Sequence, residues 1–328
     1  MDIRYLQNEE KQKSRELYEC CFPEDSRQFV DYYYKEKCWD NAIWVAEEQG
    51  RIVSMIHENP FTVSLCGHPV SVHYVVAVAT LPEYRRQGLM RTLLERMLRN
   101  ASRRGEPFSF LMPANPAYYE PFGYRYWNSQ IEWKMEEAMT DRMKEICTNW
   151  NFGDSGCAPL SGSGAEQLAA FVNSVLDRNF DLYVTRDRAY YERLRLEQQS
   201  EQGDVIVMRD EDGTCVGCFC FDREDGFSIR EPILRQNAEE RKHALMMGRI
   251  VNLEQFVKSL HFPEPFEETI CITDDIIPEN NGCFRFQIEK GQSTAARAET
   301  HDTARTMDIA EFGQFLFDRL RIFVNEIV

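Results

Sequence analysis

The stretch from Tyr74 to Met90 constrains this chain more than any other. An apolar, largely β-branched run, Tyr74-Val75-Val76-Ala77-Val78-Ala79-Thr80, stops at Leu81-Pro82. Proline has no N–H for a sheet ladder, so a strand ends there. A basic turn with a single glycine follows, Arg85-Arg86-Gln87-Gly88, and a helical pattern begins at Leu89. Leu89, Leu93, Leu94, Met97, Leu98 and Ala101 fall on one face of a helix running to about Arg103, with Arg91, Glu95, Arg96 and Arg99 elsewhere. Strand, glycine turn and helix start in that order can aim several backbone N–H groups at an anion, and the helix dipole adds to the attraction. An Arg-x-x-Gly alone carries little weight and also fits an exposed basic turn. Its place between a strand end and a helix start favours a diphosphate-binding turn.

The rest of the chain reads as α/β, with about two or three domains' worth of residues at 328. Two short helices, Arg15 to Phe22 and Phe29 to Tyr34, flank Pro23-Glu24-Asp25-Ser26; their aromatics fit either buried faces or an acceptor pocket. Hairpins follow at Ala42–Ala46 with Arg51–Ile56, and at Phe61–Leu65 with Val70–Val78. After the helix come a buried strand, Phe108 to Met112, the segment Pro113 to Tyr124, and a strand from Tyr126 to Trp133. Residues 140 to 262 echo this pattern: Asp204–Met208 and Cys215–Cys220 repeat a hairpin, after which no Arg-Arg-x-Gly turn appears and a helical stretch is expected through Arg249. Strands at Thr269–Thr273 and Cys283–Ile288, a polar stretch from Gly291 to Ala304, a helix from Ile309 to about Leu320 and an apolar end complete the chain.

A net charge of −16 argues against nucleic acid, whose phosphates need a basic face, and is compatible with cationic substrates. No apolar run reaches the ~18 residues of a membrane span. The N-terminus is soon charged and carries no signal-like segment, which predicts a cytoplasmic protein. The eleven cysteines do not suggest a disulfide framework. Cys215, Cys218 and Cys220 lack a second Cys/His pair and read as structural, so no metal is expected. His73, beside the key strand, reads as structural.

The turn at Arg85 to Met90 resembles motif A of the GNAT acetyltransferases, Arg/Gln-x-x-Gly-x-Gly/Ala, with Met90 departing from it. The Val-Ala-Val, Pro, Arg-Arg-x-Gly-Leu-Met order resembles the Eis (enhanced intracellular survival) branch, as do Tyr119-Glu120-Pro121-Phe122-Gly123-Tyr124 and the apolar end Phe323-Val324-Asn325-Glu326-Ile327-Val328. The resemblance implies a GNAT fold at 1–135, a mixed and mostly antiparallel sheet flanked by helices. A degenerate GNAT-like domain at 136–262 and a small sterol-carrier-like domain at 263–328 would follow, with the C-terminus docked in the active site. It further implies acetyl-CoA as co-substrate. Val78, Ala79 and Thr80 would pair with the pantetheine arm, and the turn Arg85, Arg86, Gln87, Gly88, Leu89, Met90 and Arg91 would hold the pyrophosphate. Asn115 would lie near the sulfur. Tyr119 would be the general acid, in competition with Tyr118 and Tyr124, and the carboxylate of Val328 the base, with Glu326 as fallback. The implied activity is direct N-acetylation of a primary amine on a small cationic acceptor, an aminoglycoside or polyamine, by a homo-oligomer, a trimer or hexamer. The alternatives are protein-lysine acetylation and a lapsed CoA- or lipid-binding protein.

Overall fold

The computed structural model describes residues 1–153, 155–223, 226–235, 238–289, 291, 293–299 and 304–325. The first unit opens with β1 (Asp2–Tyr5), α1 (Arg15–Cys21) and α2 (Arg27–Tyr32), which continues as a π-helical turn to Lys37. Then come β2 (Ala42–Glu48), β3 (Arg51–Leu65), β4 (His68–Thr80), α3 (Leu89–Arg103), β5 (Phe108–Leu111) and β6 (Arg125–Tyr126). The helix α3 turns the six apolar residues expected from its periodicity into the core.

The strand β3 is longer than the sequence suggests, running through Pro60 instead of breaking into two. Leu81 N–H bonds Val53 C=O across β4, and Thr185 N–H bonds Thr62 C=O on the opposite side. Alternation therefore turns the imide nitrogen of Pro60 away from β4. There β2 pairs no further than Glu58 and the next partner begins at Val63, so no neighbour asks for the missing N–H.

The middle unit holds β7 (Ile131–Met135), α4 (Glu137–Asn149), β8 (Cys157–Pro159), α5 (Ala165–Asn179), β9 (Leu182–Val184), α6 (Arg188–Ser200), β10 (Asp204–Arg209), β11 (Cys215–Asp222), β12 (Ser228–Leu234), β13 (Ala238–Lys242) and β14 (Met247–Ile250). The helix expected through Arg249 is absent. Ala238–Lys242 has helix-forming composition but pairs along β7. Met247–Ile250 lies between β5 and β6, where Gly248 is pressed on Trp127 so closely that a Cβ would meet the indole Nε1 at 2.3 Å. Cys218 and Cys220 of β11 point into the unit's core.

The last unit holds α7 (Leu253–Lys258), β15 (Phe266–Thr273), β16 (Gly282–Ile288), β17 (Ser293–Arg297), β18 (Arg305–Asp308), α8 (Ile309–Phe317) and β19 (Ile322–Phe323). The polar stretch after Gly291 thus contains a strand, β17, paired along β16. Cys271 and Cys283 face each other across β15 and β16 and are joined as a disulfide, a cross-link the scattered cysteines did not suggest; the other nine thiols are free.

Strands cross between units. The largest sheet runs β1-β2-β3-β4-β5-β14-β6, with β9 added beside β3 and β19 beside β9. One apolar cluster spans this sheet, α3, α7 and α8, so the first and last units share a core. No helix among the described residues is long and apolar enough to cross a membrane.

Candidate active site

The site starts where β4 and β5 separate. These parallel strands pair only at Tyr74–Phe110 and Val75–Leu111. Just beyond, β4 is bulged: Met55 faces Ala79 and His57 faces Val76, leaving Ala77 and Val78 opposite Ile56. Ala77 takes φ +50°, a left-handed conformation that costs a non-glycine residue about 1–2 kcal/mol. A bulge bends its strand, and past Val75 and Leu111 the two strands no longer pair, which leaves room for a cleft between them. Ser54 Oγ donates to Ala79 C=O at 3.0 Å, on the β3 side. Alternation then leaves the main-chain groups of Val78 and Thr80 toward the cleft and those of Ala79 toward β3. The Thr80 carbonyl is already taken by Arg85 Nε at 3.0 Å.

A 3-10 turn at Pro82–Tyr84 leads to Arg86 at φ +62° and Gly88 at φ +78°, which starts α3 with no side-chain cap. The first helical bond runs from Thr92 N–H to Gly88 C=O. The amides of Gln87, Gly88, Leu89, Met90 and Arg91 donate to no group among the described residues, and Arg86, Gln87, Gly88 and Arg91 are exposed. Free amides at a helix start with basic side chains beside them suit a diphosphate. A Cβ on Gly88 would meet nothing within 4 Å, so its left-handed φ, rather than crowding, is what calls for glycine.

The three neighbouring tyrosines separate by environment. Tyr118 is exposed. Tyr124 is fully buried with its hydroxyl 2.8 Å from Ser109 Oγ. Tyr119 is also buried, yet its hydroxyl has no hydrogen-bond partner among the described residues. Burial, with Tyr118 adding a little, pushes its pKa up to about 12. It sits between two 3-10 turns, Pro116–Tyr118 and Glu120–Phe122. Asn115 caps the first, its Oδ1 accepting Ala117 N–H at 3.0 Å. In the second, Phe122 N–H bonds Tyr119 C=O, and the Phe122 ring lies 5.0 Å beneath the Arg91 guanidinium. The anion turn and the Tyr119 segment are thus in contact through Arg91 and Phe122.

Val328 and Glu326 lie outside the described residues. The chain just before them is anchored: Gln130 Nε2 donates to Val324 C=O at 2.7 Å, its Oε1 accepts Leu245 and Met246 N–H, and Asn325 Nδ2 donates to Ile131 C=O. His73 lies 2.9 Å from Glu106 in a partly buried ion network, a structural setting. Sequence reasoning missed Arg249, whose side chain is wholly buried and holds Phe122 C=O at 2.6 Å. The signal was present, an arginine inside the apolar run Met246 to Val251, but a helix reading hid it.

Residues 2–127 match the family model described as an acetyltransferase (GNAT) domain, and residues 253–322 match that of a sterol carrier protein domain. The first unit therefore has the GNAT fold. Across its length the chain resembles solved structures at low identity. A probable N-acyltransferase from Enterococcus faecalis V583 gives a TM-score of 0.74 at 16% identity, covering 97% of this chain and 93% of that one. A GCN5-related N-acetyltransferase from Kribbella flavida gives 0.73 at 12% identity, covering 100% of both chains. Eis1 from Mycobacterium abscessus gives 0.66 at 16% identity, covering 96% of this chain and 89% of that one. At such identities the likeness is one of fold. No curated protein matches the chain.

Proposed function

We propose that the protein transfers acetyl from acetyl-CoA directly to a primary amine of a small cationic acceptor of the aminoglycoside or polyamine kind. One observation carries the reading: a bulged strand and a set of amides at the start of α3, unused among the described residues, adjoin a buried tyrosine whose hydroxyl has no partner among those residues. A match to the GNAT domain model at this place and GCN5-related N-acetyltransferases among the proteins of like fold support it. The net charge of −16 favours cationic acceptors over anionic ones.

Acetyl-CoA would supply the acyl group and a thiolate leaving group. The amides from Gln87 to Arg91 would hold its diphosphate, with Val78 offering main-chain pairing to the pantetheine arm. The acceptor nitrogen attacks the thioester carbon, the C–S bond breaks, and its electron pair passes to sulfur. Tyr119, neutral throughout the working pH range, would donate its proton there. Its raised pKa exceeds the ~8.5 of an ordinary thiol, but the same burial raises the basicity of a thiolate formed beside it, which narrows the gap. The proton of the attacking amine would go to the C-terminal carboxylate of Val328. A peptide extension at the C-terminus should then suppress turnover while leaving thermal unfolding unchanged, and a fully active extended protein would defeat that role.

The deciding experiment is a panel of amines, spanning aminoglycosides, polyamines and lysine peptides, assayed for thiol release from acetyl-CoA. Release with small polycations supports the proposal. Release with lysine peptides alone moves the acceptor to protein, and acetyl-CoA binding without release marks a lapsed enzyme.

A further inference from the structure

Arg249 and Asp274 form an ion pair at 2.7 Å with side chains at 0% and 1% exposure. Every nitrogen of the guanidinium is used: Nε donates to Phe122 C=O, one terminal nitrogen to Ile250 C=O, the other to Asp274. Asp274 in turn accepts Ile276 and Ile277 N–H on Oδ1 and Asn280 Nδ2 on Oδ2, so it is fixed by its own loop. Gly123, at φ +84°, lets the backbone come so near that a Cβ would lie 3.2 Å from Arg249 Nε. Burying two charges gains little stability over an apolar pair of the same volume, whereas their directional bonds fix geometry. What they fix is the 3-10 turn whose first carbonyl belongs to Tyr119 and whose last belongs to Phe122.

We infer that Arg249 and Asp274 are positioning residues, through which the last unit sets the turn that aims the Tyr119 hydroxyl. This rests on the reading of Tyr119 as general acid. Neither residue reaches the cleft; the path is Asp274 to Arg249, to Phe122 C=O, to the turn bond between Phe122 N–H and Tyr119 C=O.

The test is a double-mutant cycle on steady-state acetylation, with acetyl-CoA affinity measured separately. Arg249→Met should lower kcat by about 30–100-fold, the scale of a roughly 1 Å misplacement, with acetyl-CoA affinity changed less than about threefold. Where Arg249→Met fails to fold, Arg249→Lys serves instead: it keeps a charge opposite Asp274, loses the bond to Phe122, and should cost about tenfold in kcat. In a Tyr119→Phe background either substitution should change kcat less than about threefold, because the group being aimed is gone. Losses that multiply fully would overturn the positioning role while leaving Tyr119 as the acid. A Tyr119→Phe enzyme with unchanged kcat would overturn both.

Discussion

The first and middle units are built alike up to one point. β1, two helices, β2, β3 and a bulged β4 are matched by β8, α5 and α6, β10, β11 and a bulged β12. Even the bulges correspond. Ala77 and Val78 face Ile56, while Glu231 and Pro232 face Phe219, and the first residue of each bulge is left-handed, at φ +50° and +46°. Each bent strand borders a gap; in the middle unit this is a cavity of about 420 Å³ between β12 and β7, lined by residues such as Trp133, Cys220 and Glu231. The units part after the strand. Nine residues beyond Thr80 a glycine-led helix begins with amides that are free among the described residues, whereas four residues beyond Leu234 the chain is already in β13, bonded to β7. A bulge makes a cleft, but the amides that follow it decide whether the cleft can hold a diphosphate.

Chemistry should therefore follow the first cleft alone. Tyr119→Phe should lower kcat by about 10²–10⁴-fold with acetyl-CoA affinity nearly unchanged, the usual range for losing a general acid. Ser228→Trp, placed to fill the middle cavity, should leave kcat within about twofold. A reversed pattern would break the comparison.

Acid stability should divide the units as well. His57 and Cys220 occupy matching register positions, opposite Val76 and Arg230 beside the bulges. His57 is fully buried, 3.0 Å from Tyr33 Oη, and burial pushes its pKa down to about 3. Between pH 6.5 and about 3 the unfolded chain binds a proton that the folded one refuses, so stability is full above pH 6.5 and falls as pH drops through that window. The loss amounts to roughly 5 kcal/mol at most. His57→Cys, the middle unit's choice, should flatten chemical denaturation midpoints measured between pH 4 and 7; an unchanged slope would place the acid sensitivity elsewhere. The smallest effect belongs to the bulges themselves. Ala77→Gly should relieve left-handed strain by about 1 kcal/mol, and Glu231→Gly should gain less, because its carboxylate pairs with Arg186. Calorimetry would show a raised Tm for Ala77→Gly, and a lowered one would mean that the alanine methyl contributes more than the strain costs.

What could be read from the sequence was local. The strand break at Pro82, the glycine at 88 and the apolar face of α3 lie within thirty consecutive residues, and each has a local cause. The continuity of β3 through Pro60 was not legible, because it depends on where β2 stops and β9 begins. The run Ala238 to Lys242 looked helical for its composition and became a strand because β7 offered an edge. Motif register alone singled out Tyr119; that Tyr118 is exposed while Tyr124 is buried with its hydroxyl against Ser109 was not legible, because it depends on contacts distant in the chain. Arg249 was invisible as a site residue because its partners, Phe122 and Asp274, are 127 and 25 residues away.

The central claim is that one cleft in each chain, the one ending in Gly88, binds acetyl-CoA. Isothermal titration of the full chain with acetyl-CoA should give one site per chain, and Gly88→Val should weaken it by about 10–100-fold, since valine strains the φ of +78° and misaligns the amides around it. Two sites per chain, or undiminished binding by Gly88→Val, would contradict the account.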